Sequence, residues 1–283
     1  MSANYWVSSQ RQHWQMTRSE LEQARSKVRQ IELKMGVTNS SLSAFDGSMK
    51  LYIHGLVQLL GRHLNARQRV LATAEVYLSR FFSRVSIHEV NLYVLVAACV
   101  YVACKTEEAP QHIRTVSSEA RSIWPEYVTH DPTKIAECEF YLMEELDTYL
   151  IVHHPYRSLR ELSKCLSDTV TLTGDEMQAA WSMINDSYAT DLMLVYPPHV
   201  IAAASIYMTV VLRSPLARPT RPPERIKARI DQLVIFLGDS GIDLDHLAAC
   251  VEEMIALYVR WESYDENGCR QLLKQQLLGA RPG

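Results

Sequence analysis

Two apolar runs of thirteen residues, at positions 92–104 and 200–212, constrain the fold of this chain more than any other feature. A helix that crosses a membrane needs about 20 apolar residues, so neither run is long enough to do so. Helices that are apolar on every side lie in the interior of a bundle. Each run is therefore predicted to be a central helix that other helices surround, and no membrane association is expected.

The two runs match each other at an offset of 106 residues, which places AACVYV (97–102) over AASIYM (203–208). One such helix in each half of the chain indicates two copies of one helical bundle. The flanking sequence supports this interpretation, because apolar residues recur there at helical spacing. These are Val70, Ala74, Tyr77, Leu78, Phe81 and Phe82 before the first run, and Ile135, Cys138, Leu142 and Leu146 after it. The predicted fold class is all-α, with about five helices in each repeat.

The N-terminal segment has a different pattern. Its apolar residues form a narrow stripe on an otherwise polar helix, namely Leu21, Ala24, Val28, Ile31 and Met35. Such a stripe offers little surface for a core of its own. We expect this extra helix to pack on the outside of the bundle or on a partner. Residues 36–48 are predicted to be a linker, and the proline-rich residues 214–224 are predicted to be irregular.

Composition excludes several classes of function. The chain has 29 Lys+Arg against 32 Asp+Glu, so it lacks the basic excess that binding to nucleic-acid phosphates requires, and no direct nucleic-acid contact is expected. None of the six cysteines forms a C-x-x-C motif, and the histidines form no metal-binding pattern. The N-terminus has no secretory signal, which favours free thiols in an intracellular compartment.

Motifs for catalysis are also lacking. There is no glycine-rich nucleotide loop, and the GDSG at 238–241 is interpreted as a turn between helices rather than as a protease nucleophile. We therefore predict no catalytic residue, no cofactor and no bound metal. The most unusual polar residue is Lys105, which follows the first apolar run and needs a carboxylate partner. Glu139 is a candidate, and spacing alone favours a structural ion pair over a functional one.

Several of these segments resemble a known family. VYVACKTEE followed by KIAECEFYLMEEL resembles the cyclin box, and tandem five-helix repeats are the cyclin fold. YWVSSQ, ECEFYLMEELDTYLIVHHPYRSL and AWSMINDSYATDLMLVYPP are similar to the cyclin C branch of that family, and residues 107–134 look more like its fungal members. The resemblance implies an N-terminal helix and linker at 1–48, a first cyclin box at 49–152, a second at 153–262 and a C-terminal tail at 263–283.

The resemblance also implies a function. Members of this branch are nuclear, non-catalytic subunits that bind and activate a cyclin-dependent kinase in the kinase module of Mediator, and they regulate transcription by RNA polymerase II. In the family, the residues that match Lys105 and Glu139 face the kinase and hold backbone groups beside its helix C. The hydrophobic substrate-docking patch of cell-cycle cyclins is not expected, because the corresponding stretch here reads MKLYIHGLVQLL.

The resemblance also implies a second site. Trp6, Trp181, Asn185 and Asp186 match residues associated with a groove that binds the large activating Mediator subunit, although core packing or helix capping would also explain them. The alternative function is that of a general transcription factor of the TFIIB type, which shares the tandem helical fold and binds promoter DNA. Proteins of that type carry a zinc ribbon and a basic core, and this chain has neither.

Overall fold

The computed structural model describes residues 4–37, 42–166, 170–211 and 223–279, and all regular structure within these ranges is helical. The chain forms two compact units. The first contains residues 1–152 together with 257–283, and the second contains residues 153–256. No helix in the described ranges carries an apolar stretch sufficient to cross a bilayer.

The first unit is built around one apolar helix. Its helices are α1 (Arg18–Lys34), α2 (Gly47–His63), α3 (Gln68–Phe82), α4 (Leu92–Thr106), α5 (Ile113–Ile123) and α6 (Thr133–Glu145). The central helix is α4, which packs against α2, α3, α5 and α6. Eleven of its fifteen residues are buried, and Asn91 caps its N-terminus by accepting a hydrogen bond from the Tyr93 N–H. The predicted role of the first apolar run is confirmed.

The second unit has the same organisation. It contains α7 (Pro155–Leu166), α8 (Gly174–Ser187), α9 (Leu192–Val195), α10 (Pro198–Val211), α11 (Pro223–Asp239) and most of α12 (Leu244–Glu262). The central helix is α10, which contacts α7, α8, α9 and α11. The second apolar run is thus a buried helix as predicted, although Leu212 lies outside the described residues. The GDSG segment connects two helices, as expected: Gly238 and Asp239 end α11, and Ser240 and Gly241, the latter at φ +69°, form the turn.

The C-terminal segment is not a simple tail. Residues Glu266–Gly279 form a further helix, α13, which packs against α2 of the first unit. The side chain of Gln276 donates to the carbonyl oxygens of Ile87 and His88, and Lys274 lies 3.6 Å from Glu126. Helix α13 therefore adds a layer to the first unit.

The N-terminal helix lies on the first unit, and the predicted stripe is wrong in its second half. Leu21 and Val28 are buried as expected, but Ile31 and Met35 are 37% and 49% exposed. Glu32 is buried instead, and its carboxylate accepts a 2.7 Å hydrogen bond from Ser86 Oγ. This polar contact turns the Glu32 face of α1 inward, which the apolar pattern alone does not predict.

The two irregular segments are only partly described. Of the predicted linker, residues 38–41 lie outside the described ranges, whereas Leu42 and Ala44 are buried and Asp46 caps α2 by accepting from the Ser48 N–H. Of the proline-rich segment, residues 214–222 lie outside them.

Candidate functional site

The first unit brings Lys105 and Glu139 together. Lys105 is in the last turn of α4 and Glu139 is in the middle of α6, and the packing of these two helices places the ammonium against Glu139 Oε1. The Lys105 side chain is 41% exposed and that of Glu139 is 14% exposed. The predicted pair thus forms within the free chain and reaches its surface.

The Lys105 ammonium has a second neighbour, which the sequence pattern does not predict. Its Nζ lies 4.4 Å from the centre of the Tyr101 ring, one helical turn earlier on α4. An ammonium has three N–H donors, and the face of an aromatic ring attracts a cation. Glu139 and Tyr101 therefore position the ammonium while leaving donor capacity toward solvent. The carboxylate oxygen of Glu139 that Lys105 does not contact adds acceptor capacity to the same surface.

Large apolar side chains are exposed close to this pair. Phe140, which follows Glu139 on α6, is 72% exposed, and Ile151 is 64% exposed. Ile151 is linked to the end of α4, because Tyr77 Oη donates its proton to the Leu150 carbonyl and also lies 3.2 Å from Thr106 Oγ1. Burial raises the pKa of Tyr77, so this hydroxyl stays protonated and donates. Exposed Phe and Ile beside a charged pair are typical of a protein-binding surface.

The chain that leads from α6 to Ile151 has an unusual backbone. Asp147 and Thr148 both have positive φ, at 50° and 59°, a conformation that few residues other than glycine adopt. Two arginines of the α3 region hold it: Arg84 donates to the Glu145 carbonyl at 2.7 Å and to Asp147 at 2.8 Å, and Arg80 donates to the Tyr149 carbonyl at 3.0 Å. The Arg84 hydrogen bond lowers the pKa of Asp147, which keeps this carboxylate ionised.

The N-terminal segment covers the other side of these arginines. Trp14 is buried beneath the guanidinium groups of Arg84 and Arg80, at 4.4 Å and 5.1 Å from its ring centre. His13 stacks on Tyr149 with 4.5 Å between ring centres. Burial lowers the pKa of Arg80 to about 10, so it remains charged at neutral pH. Trp6, at the start of this segment, is 61% exposed and meets Tyr5 edge to face.

The remaining predicted residues lie on α8 in the second unit. Trp181 is half-buried and stacks on Tyr156, with 4.6 Å between ring centres. Tyr156 Oη also donates to Asn185 Oδ1 at 2.9 Å, so Tyr156 joins the two residues. Asp186 follows and is half-buried. Trp6 belongs to the first unit, whereas Trp181, Asn185 and Asp186 belong to the second.

Several residues of the first-unit surface were missed from the sequence. Tyr101 and Phe140 lie on helices for which the apolar pattern predicts only buried faces, and the pattern predicts nothing for Ile151. The signal that could have found Phe140 is its position outside the apolar stripe of α6. Within the described residues, no group of three or more His, Cys, Asp or Glu side chains is placed to bind a metal ion.

The chain is similar to a known protein family and to several curated proteins. Residues 19–151 match the family model of the cyclin N-terminal domain. The chain is 53% identical to the RNA polymerase II holoenzyme cyclin-like subunit of Yarrowia lipolytica, with 95% of this chain and 97% of the relative covered. It is 40% identical to the subunit of the same name from Saccharomyces cerevisiae, with 96% and 97% covered.

Solved structures show the same fold at lower identity. A chain of the CAK complex from Chaetomium thermophilum bound to ATP-gamma-S aligns with a TM-score of 0.71 and 21% identity, with 96% of this chain and 87% of that chain covered. A chain of the yeast TFIIK complex of Kin28, Ccl1 and Tfb3 aligns with a TM-score of 0.66 and 21% identity, with 88% and 100% covered.

Proposed function

Because the chain belongs to the fungal family of RNA polymerase II holoenzyme cyclin-like subunits, the cyclin C family, we propose that it is the regulatory subunit of the cyclin-dependent kinase in the kinase module of Mediator. The observation that carries the proposal is the Lys105–Glu139 pair at the surface of the first unit, with Phe140 and Ile151 exposed beside it. The TFIIB-like alternative is not favoured, since these relatives are named cyclin-like subunits and the family model is that of a cyclin.

The pair supplies contacts for backbone groups of the kinase beside its helix C. Lys105 retains N–H donors and Glu139 retains a carboxylate oxygen, so together they offer a donor and an acceptor at adjacent points. The backbone N–H and C=O groups at the ends of a helix have no partner within the helix, and side chains such as these can form hydrogen bonds with them. The apolar side chains around the pair would exclude water from these contacts and strengthen them.

Activation then follows from the chemistry of protein kinases. Phosphoryl transfer needs an ion pair between the lysine of strand β3 and the glutamate of helix C, together with a magnesium-binding aspartate. A rigid surface that binds helix C better in its inward position shifts the kinase population toward the active conformation. In this mechanism the chain contributes binding energy and no catalytic group, while the ATP site belongs to the kinase.

The residues on α8 are proposed as a second interface, for the large activating subunit of the module. Trp181 stacked on Tyr156 presents a half-buried aromatic surface, and Asn185 and Asp186 place polar groups beside it. Aromatic residues partly sunk in a surface and bordered by polar groups are common anchors of protein interfaces. Trp6 is proposed to contribute from the first unit.

Assembly with the polymerase holoenzyme places the protein in the nucleus.

The test is to purify the tagged chain from its source, identify the kinase that comes with it, and assay that kinase with and without the chain. We expect one cyclin-dependent kinase, whose phosphorylation of a peptide substrate rises at least a hundredfold when the chain is added. The chain alone is expected to show no ATP turnover. Tight, steeply salt-dependent binding of duplex DNA without any associated kinase would contradict the proposal.

A further inference from the structure

A basic cleft lies on the first unit, in residues that the proposed kinase site does not include. It has a volume of about 590 Å³ and is formed between α5 and the segment that leads to α6. Arg114, Ser118 and Arg121 line it from α5, and their spacing of four and three residues places them on one helical face. Pro125 and His130 line it from the following segment.

The two guanidinium groups of this cleft are not neutralised within the described part of the chain. No ion pair or side-chain hydrogen bond joins the guanidinium group of Arg114 or Arg121, or the His130 ring, to another described residue. The nearby carboxylates are engaged elsewhere: Glu119 bonds His63 at 3.3 Å and Glu126 pairs with Lys274 at 3.6 Å.

Asp131 is the carboxylate nearest in sequence to His130, and it is also engaged. It accepts a 3.0 Å hydrogen bond from the Thr133 N–H at the start of α6. The Thr133 side-chain hydrogen bond holds the pKa of Asp131 below its usual range. Among the described residues that line the cleft there is no carboxylate, so its charge is positive.

We propose that this cleft binds a phosphorylated serine or threonine side chain of a protein partner. A guanidinium group forms paired hydrogen bonds with a phosphate monoester, and two such groups with serine hydroxyls supply the donors that its three free oxygens need. The exposed hydroxyls of Ser118 and Ser122 are on the cleft side of α5. Pro125 and Pro132 provide apolar walls against which the neighbouring peptide residues can pack.

The observations favour a phosphopeptide over a nucleic acid. The chain as a whole carries a net charge of −3, and the cleft offers three basic side chains rather than a long basic stripe. The cleft is also much larger than one phosphate group, which leaves room for residues on either side of the phosphorylated one. This inference does not depend on the kinase partner, since Lys105 and Glu139 take no part in it.

Binding is tested by fluorescence anisotropy on the full chain, with a labelled degenerate peptide library that carries one fixed phosphoserine. We expect it to bind at least tenfold more tightly than the same library with serine or glutamate at the fixed position. The double variant Arg114→Gln/Arg121→Gln is expected to lose at least tenfold in affinity. The control Arg29→Gln, an exposed arginine of α1, and the variant Lys105→Glu should bind as the wild type does.

A second variant tests the proposal independently, in case the double arginine variant does not fold. Ser118 is exposed, so Ser118→Asp places a negative charge in the cleft with little effect on packing, and it should also weaken binding at least tenfold. Equal binding of the serine and phosphoserine libraries, or unchanged binding by both variants, would overturn the proposal. So would an affinity for inorganic phosphate or for duplex DNA that equals the affinity for the phosphoserine library.

Discussion

Arg80 on α3 donates a 3.0 Å hydrogen bond to the carbonyl oxygen of Tyr149, which lies in the segment just after α6. Arg80 is almost completely buried and its guanidinium group lies over the Trp14 ring. One side chain thus joins α3, the N-terminal segment and the two left-handed residues that precede Tyr149. This arrangement holds the backbone two residues before the exposed Ile151.

Replacement of Arg80 should therefore destabilise the first unit. Arg80→Ala removes a charge-assisted hydrogen bond in the interior and the contact with Trp14, so we expect a loss of about 2–3 kcal/mol in the free energy of unfolding. Arg80→Lys keeps the charge but not the planar group and should lose less. Denaturant unfolding followed by tryptophan fluorescence measures both. If Arg80→Ala unfolds at the wild-type midpoint, the hydrogen bond to Tyr149 does not hold this region.

The Lys105–Glu139 pair is expected to matter more for kinase binding than for folding. Lys105 is 41% exposed, and an exposed ion pair contributes at most about 1 kcal/mol to stability. When a partner covers the pair, removal of one member leaves a buried charge without its partner and costs about 3–5 kcal/mol of binding free energy. Lys105→Glu and Glu139→Ala should therefore remain folded, yet bind the kinase at least a hundredfold more weakly in a calorimetric titration.

The matched control for this pair is Lys134→Glu, which breaks the exposed Lys134–Glu137 pair on the same helix. We expect this variant to activate the kinase as the wild type does. Wild-type activation by both Lys105→Glu and Glu139→Ala would exclude the pair from the interface.

Replacement of Trp181 should weaken binding of the large activating subunit rather than binding of the kinase. Trp181→Ala removes the ring that stacks on Tyr156, and loss of an aromatic anchor weakens an interface by about 2 kcal/mol or more. We expect at least a tenfold loss in affinity for the large activating subunit, measured by pull-down at several concentrations, with kinase activation unchanged. Ser182→Ala, at the exposed neighbouring position, is the control. Loss of kinase binding in Trp181→Ala would place the kinase interface, at least in part, on α8.

The second unit should lose stability in acid through Glu176. Burial alone would raise the pKa of Glu176, but the hydrogen bonds from Arg229 and the Thr173 cap outweigh it and lower the pKa from 4.5 to about 2. A carboxylate with a depressed pKa stabilises the fold above its unfolded pKa and loses that contribution as the pH falls through the folded value. The Arg229 pair and the Thr173 cap therefore stabilise the second unit at neutral pH, and this stabilisation is lost in acid.

The variant Glu176→Gln isolates this contribution. It should be less stable than the wild type at pH 6, and the difference should shrink between pH 4.5 and pH 2. Chemical unfolding at each pH measures the difference between the two proteins. A difference that stays constant over this range would mean that the Arg229 pair does not lower the pKa of Glu176.

Thiol reactivity should single out one cysteine. Cys165 is exposed, whereas Cys99, Cys104, Cys250 and Cys269 are buried. Burial raises the pKa of Cys104 to about 11 and that of Cys138 to about 12, and a protonated thiol is a poor nucleophile. A maleimide reagent at pH 7 should label Cys165 first, and Cys165→Ser should abolish the fast phase. Rapid labelling of Cys165→Ser at Cys104 would contradict the packing of α4.

The sequence by itself determined the central helices, because an apolar run of this length is a local property that any compact fold must bury. It also identified Lys105 as a residue in need of a carboxylate. Tertiary structure alone decided which face of α1 turns inward, that α13 packs on α2, and that Arg80 anchors the segment after α6. Each of these depends on contacts between residues distant in the chain, such as Glu32 and Ser86, and a periodic sequence pattern does not predict such contacts. Exposure of Phe140 and Ile151 is likewise a result of packing, since the same side chains would suit a buried position equally well.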